Sequence, residues 1–210
     1  MAKRDPYWPA QLAVALVVGL HFTLAHRLLF GPTWLLPSVE AALLLALIII
    51  TPQKHAPAKD HWHRTLALAI TGFVSVVNVI ALAIVVHRLV NGGGGIGGHR
   101  LIGSGVLIWA TTVLIFAVWY WEMDRRDPDN PLPPNTPPHF LFSRMGSDFE
   151  MGFQPRFGDY LYLSLTNSVA FSPTDTLPLR LGAKAVMGLQ SLAALTTIGL
   201  VIARAVNILG

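Results

Sequence analysis

The stretch Gly158-Asp159-Tyr160-Leu161-Tyr162-Leu163-Ser164-Leu165-Thr166-Asn167-Ser168-Val169-Ala170-Phe171-Ser172-Pro173-Thr174-Asp175 decides how this chain folds. It is too short to cross a bilayer, which takes roughly 20 apolar residues, and too apolar to be an ordinary loop. Thr166, Asn167 and Ser168 read as the last turn of a short helix. Val169 to Ser172 then leave it, and Pro173 prevents it from continuing. Asp175 and Pro178 mark the turn toward a long apolar run, Leu181 to Leu209. A short helix, a polar turn and a spanning helix in that order predict a re-entrant segment. Irregular backbone at membrane depth must be sheltered by protein or line a wet cavity, because lipid cannot satisfy its N–H and C=O groups.

The surrounding chain has the matching composition. Of 210 residues, 53% are apolar and 12% charged. With several uninterrupted apolar runs, that predicts an all-α membrane protein with about five transmembrane helices plus one short re-entrant helix. The spans read as residues 8–26, 34–51, 65–90, 101–121 and 181–209. Residues 1–100 then form a three-span region. Residues 101–210 form a pore-like module of span four, a proline-rich loop, the re-entrant helix and span five. Pro37 and Ser38 suit the start of span two, which places Glu40 near the positive end of that helix dipole. Span four closes on Trp119-Tyr120-Trp121, which reads as an interfacial belt. Five prolines between Pro131 and Pro138 keep the following segment extended along the membrane surface. The glycine run 92–95 lacks the Gly-Lys-Ser/Thr of a phosphate loop and reads as a connector.

The net charge of +4 carries no basic patch with interleaved aromatics, so a nucleic-acid partner is not expected. The absence of cysteine excludes disulfides and thiolate metal sites. No nucleophile–base–orienter set is present, so an enzyme is not expected. The apolar run after Met1 to Arg4 is long enough to stay in the membrane, which argues against a cleavable signal. Loop charges place the N-terminus in the cytoplasm of a bacterial inner membrane. Lys3, Arg4, Lys54, Lys59, Arg64, Arg125, Arg126, Arg144 and Arg156 fall inside, and Arg27, Arg88, Arg100 and Arg204 outside.

The order from span four onward resembles the pore domain of potassium channels, where a pore helix ends in Thr-x-Thr-Val-Gly-Tyr-Gly-Asp and an inner helix follows. Thr166 matches the first Thr, Val169 the Val, Phe171 the Tyr, and Asp175 and Pro178 keep the Asp-x-x-Pro spacing. Ala170 and Ser172 stand where the family has glycines, and Pro173 and Thr174 are extra. Trp119 to Arg125, Asp159 to Tyr162 and Ala170 to Asp175 also resemble a family of small bacterial membrane proteins of unknown function. The channel likeness implies a homo-oligomer, a tetramer if it conducts, with a monovalent cation as the permeant species. Selectivity would be weak, because Ala170 and Ser172 reach filter backbone angles only at a cost. The charge bias makes the segment insert from the cytoplasm, whereas a potassium-channel pore loop inserts from outside. Either the module is inverted, or the charge rule fails here, or the likeness is purely architectural.

The candidate residues follow from this. Thr166, Asn167, Ser168, Val169, Ala170, Phe171, Ser172 and Asp175 would form the filter-like constriction, or the polar ones among them would cap the short helix. Glu122, Asp124, Arg125, Arg156 and Asp159 would form an ion-pair cluster pinning the re-entrant stretch to span four. Asn78 would bond a polar group on another span. His21 and His87 would have to face each other at one depth to hold a haem. No cofactor or metal is expected, and a non-conducting scaffold that binds lipid or a partner is the alternative to a pore.

Overall fold

The computed structural model describes residues 7–28, 38–42, 45, 60–90, 98–124, 137–146, 153–170 and 176–209. Five helices organise them: α1 (Trp8–Leu28), α2 (Asp60–Val90), α3 (Gly98–Asp124), α4 (Phe157–Ala170) and α5 (Leu181–Leu209). Two short strands, β1 (Phe140–Phe142) and β2 (Thr176–Pro178), pair antiparallel with Phe140 opposite Pro178 and Phe142 opposite Thr176. Among the described residues, three helical stretches are long and apolar enough to cross a membrane: Thr65–His87, His99–Asp124 and Leu181–Val206. The apolar stretch Trp8–Leu24 is shorter. The predicted second span lies mostly outside the described residues; positions 38–42 and 45 are helical.

Helix α3 is the hub, with α1, α2, α4 and α5 all packed against it. The sequence makes it so. Small and β-branched residues alternate round the helix, and Ser104, Ile108, Thr111, Thr112, Ala117 and Tyr120 are fully enclosed or nearly so. At Gly105 the neighbour comes so close that a Cβ would collide with Val201 Cγ2 of α5. Helix α2 is held to α3 by hydrogen bonds rather than by shape alone. Asn78 Nδ2 donates to Thr112 Oγ1 at 2.9 Å, Thr111 Oγ1 donates to Asn78 Oδ1 at 2.6 Å, and Trp119 Nε1 donates to Ser75 Oγ at 3.0 Å. Asn78 thus finds its partner on α3 and not on α4. Helix α1 carries the buried His21, whose Nδ1 lies 2.9 Å from both carboxylate oxygens of the buried Glu40. His87, by contrast, is exposed.

Several boundaries differ from the sequence reading, each for a local reason. Span four runs on to Asp124, and its Trp-Tyr-Trp end is not a surface belt: Tyr120 and Trp121 are buried. They are buried because aromatic rings from three other segments close over them. Tyr7 and Phe157 meet Trp121 edge-on at 5.9 and 6.1 Å, and Phe140 meets Tyr120 at 5.1 Å. The segment expected along the membrane surface sends residues 140–142 into this cluster in the alternation buried, exposed, buried. Such alternation is the signature of a strand with one face in the core. The short strand pair is therefore an addition to the all-α expectation.

Candidate functional site

Helix α4 has 14 residues, about 21 Å of rise, short of the roughly 30 Å hydrocarbon core. Its first turn is capped from within: the Arg156 N–H donates to Asp159 Oδ2 at 2.7 Å. An acid three residues into a helix that accepts from the preceding N–H is the return half of a capping box, and it also suits the dipole. Residues Phe157, Tyr160, Leu163, Ser164, Asn167 and Ser168 form its buried face. That face is aromatic and apolar in the first half and polar in the second. The opposite face is apolar and exposed at Tyr162, Leu165 and Val169.

The buried polar half meets one residue of α5. Gln190 Nε2 donates to Ser164 O at 2.9 Å, Ser164 Oγ at 2.7 Å and Ser168 Oγ at 2.7 Å. Its Oε1 accepts from the Tyr120 hydroxyl and from Asn167 Nδ2, the latter at 2.9 Å. Asn167 Nδ2 also reaches Met187 O at 3.1 Å, Ser191 Oγ donates to Asn167 Oδ1 at 3.3 Å, and Ser164 Oγ donates to Val113 O at 2.7 Å. Three helices thus share one closed hydrogen-bond network. Gln190 sits about 14 Å along α5 from Leu181, and Val113 about 16 Å along α3 from Asp124. The network therefore lies about a third of the way along α5 from Leu181 and in the Asp124 half of α3.

The chain on either side of α4 is tied to a single end of α3. Tyr160 Oη donates to Asp124 Oδ2 at 3.0 Å, and the His139 N–H donates to Asp124 Oδ1 at 2.7 Å. Phe157 stacks on Trp121, and Phe142 stacks on Tyr160 at 5.3 Å. After α4, β2 pairs with β1, the Leu179 N–H donates to His139 O at 2.9 Å, and a Cβ on Gly182 would lie 3.8 Å from Met123 Cε.

Of the filter-like candidates, Asn167 and Ser168 face inward and are bonded within the chain, while Thr166 Oγ1 donates to its own helix at Tyr162 O and Leu163 O. Val169 and Ala170 remain helical instead of leaving the helix, because the α4 hydrogen-bond ladder runs two residues further than the sequence reading placed it. Val169 is exposed. Phe171, Ser172 and Asp175 lie outside the described residues, as does Arg125. In the expected pinning cluster, Asp124 does hold α4, but through a tyrosine hydroxyl. Glu122 is buried beside α1, Asp159 caps its own helix, and Arg156 is exposed.

The sequence reading missed Gln190, Tyr120 and Ser164, the centre of the network. Gln190 had a usable signal: it is the only glutamine in an apolar helix of 29 residues, and a lone amide at that depth requires a partner. The small residues of α5 divide among roles: Ala194 is buried, Ser191 bonds Asn167, and Gly188 is exposed. No family model, curated protein or solved structure matches the chain.

Proposed function

We propose that this is a pore-forming integral membrane protein of potassium-channel-like plan. In it α3, α4 and α5 serve as outer helix, half-span helix and inner helix of a homo-oligomer, a tetramer if it conducts. One observation carries the reading. A helix too short to span is locked by Gln190 to the interior of two long helices, about a third of the way along α5, while the chain before and after it is fastened to the Asp124 end of α3. A segment that goes in and returns on one side produces that pattern.

Two further features support it. Helices α4 and α5 are polar inside and apolar outside, with Leu165 and Val169 on one and Leu189, Leu192 and Leu195 on the other exposed. Such a surface suits lipid or neighbouring copies, not water. The carbonyl end of α4 carries the negative pole of its dipole, and it lies at the deep end, where it favours a small cation. Weak selectivity for monovalent cations follows from the missing filter glycines at Ala170 and Ser172.

A second reading, a non-conducting scaffold of the same plan, is favoured by one observation: the Asn167 and Ser168 side chains are spent on intrachain bonds. The absence of native cysteine makes the test direct. Val169→Cys, Leu177→Cys and His99→Cys are placed singly in sealed liposomes and treated with an impermeant maleimide, and passive K⁺ and Na⁺ flux is measured in parallel. The proposal expects 169 and 177 to label from one side, 99 from the other, and flux that a bulky adduct at 169 blocks. Labelling of 169 and 177 from opposite sides sinks the half-span plan. Same-side labelling without flux leaves the scaffold.

A further inference from the structure

At the end of the bundle away from Asp124, an apolar groove runs between α2, α3 and α5. Leu82, Val85, Leu101 and Leu200 line it, and its floor is the close passage of Gly105 against Val201. Arg204 closes one wall. The guanidinium Nε is shut off from solvent and has no hydrogen-bond partner among the described residues. Next to the groove, α3 begins with the exposed His99 and Arg100. No aspartate or glutamate occurs in the sequence between His61 and Trp121 or after Asp175. The acids of the three helices that build this mouth, Asp60 on α2 and Glu122 and Asp124 on α3, all stand at their far ends, so its positive charge is not offset by them.

An apolar slot ending at an uncompensated guanidinium has one natural occupant in a bilayer. We propose that the groove binds an anionic phospholipid, with an acyl chain laid against Leu82 and Leu200 and the head-group phosphate on Arg204, aided by Arg100. Acyl packing alone would not distinguish one lipid from another; the arginines do, since basic side chains at the membrane surface select anionic head groups. A phosphate oxygen also forms charge-assisted bonds with a guanidinium. The site rests on the membrane location of the chain and is independent of conduction.

The test uses the full chain purified in neutral detergent, titrated with phosphatidylglycerol, phosphatidylcholine of the same acyl chains, or glycerol 3-phosphate. Binding is read by native mass spectrometry. Phosphatidylglycerol is expected to bind at least about fivefold tighter than phosphatidylcholine, and Arg204→Gln to remove about that factor. Arg204→Lys should retain most of it, and Lys184→Gln, at the other end of α5, should change nothing. Equal affinity for the two lipids overturns the site, as do an unaffected Arg204→Gln variant, an equal loss in Lys184→Gln, or equal binding of glycerol 3-phosphate. A chain that stays soluble without detergent overturns the membrane reading instead, so the two failures are distinct.

Discussion

Replacing Gln190 with methionine isolates the central network, because Met keeps nearly the same length and volume while removing every hydrogen bond. Five bonded contacts converge on this amide, but the losses are not five. Ser164 Oγ keeps Val113 O as its acceptor, and Asn167 Nδ2 keeps Met187 O. Left without their partner are the Tyr120 hydroxyl proton, the Ser164 carbonyl's extra donor and the Ser168 hydroxyl. Interhelical bonds in membranes contribute about 0.6–1.7 kcal/mol each, and buried unpaired groups cost about 1–3 kcal/mol. A loss of about 2–3 kcal/mol for the variant follows from three such groups at the lower ends of those ranges. At this chain length that corresponds to a fall in Tm of about 4–12 °C in detergent. Thermal unfolding followed by circular dichroism measures it, and Gln190→Met beside Asn167→Leu and the double variant gives the coupling. A Tm within about 1 °C of the parent, or full additivity of the two substitutions, would refute the claim that Gln190 holds α4 in place.

Two further outcomes follow from packing. Gly105→Ala drives a methyl group into the stiff, β-branched Val201 and should cost about 1–3 kcal/mol; adding Val201→Ala should recover most of it, read as Tm of the single and double variants. Phe140→Ala removes a fully buried ring wedged between Tyr120 and Tyr160 and should cost about 3–5 kcal/mol. Leu141→Ala, one residue on and exposed, should stay within about 0.5 kcal/mol. Equal effects at 140 and 141 in denaturation would show that β1 is not seated as described.

The long helices were legible because twenty or more apolar residues leave the backbone few alternatives. The short helix at 157–170 was legible from its length and from Pro173. What escaped the reading has a common cause. Phe140 and Phe142 lie in a proline-rich, polar segment, and only the partner strand 36 positions on gives their alternation a meaning. Tyr120 sits at a helix end where aromatics usually face the interface, and it points inward because Phe140 covers it. The sequence leaves Asn167 and Ser168 open as lining groups or as caps of the short helix, since polarity near a filter-like motif does not reveal which way a side chain turns. The partner that settles it, Gln190, lies 23 residues later. Asp124 is expected from the sequence only as one member of a five-residue ion-pair cluster; its partner on α4 is a phenol rather than a guanidinium, because Tyr160 falls on the buried face of α4 and Arg156 precedes the helix.

The pairing of β1 with β2 brackets α4 like the two halves of a buckle, one fastened before the helix in the chain and the other after it. During synthesis this sets an order of events. When Asn167 and Ser168 leave the ribosome, the amide that will satisfy them has not yet been made, and a half-length helix with a polar face gains little by staying in lipid alone. Under the proposed half-span plan, the short helix waits outside the hydrocarbon until α5 is threaded beside α3. It then settles last, with the buckle closing behind it, and truncation before residue 190 should leave it without its partner.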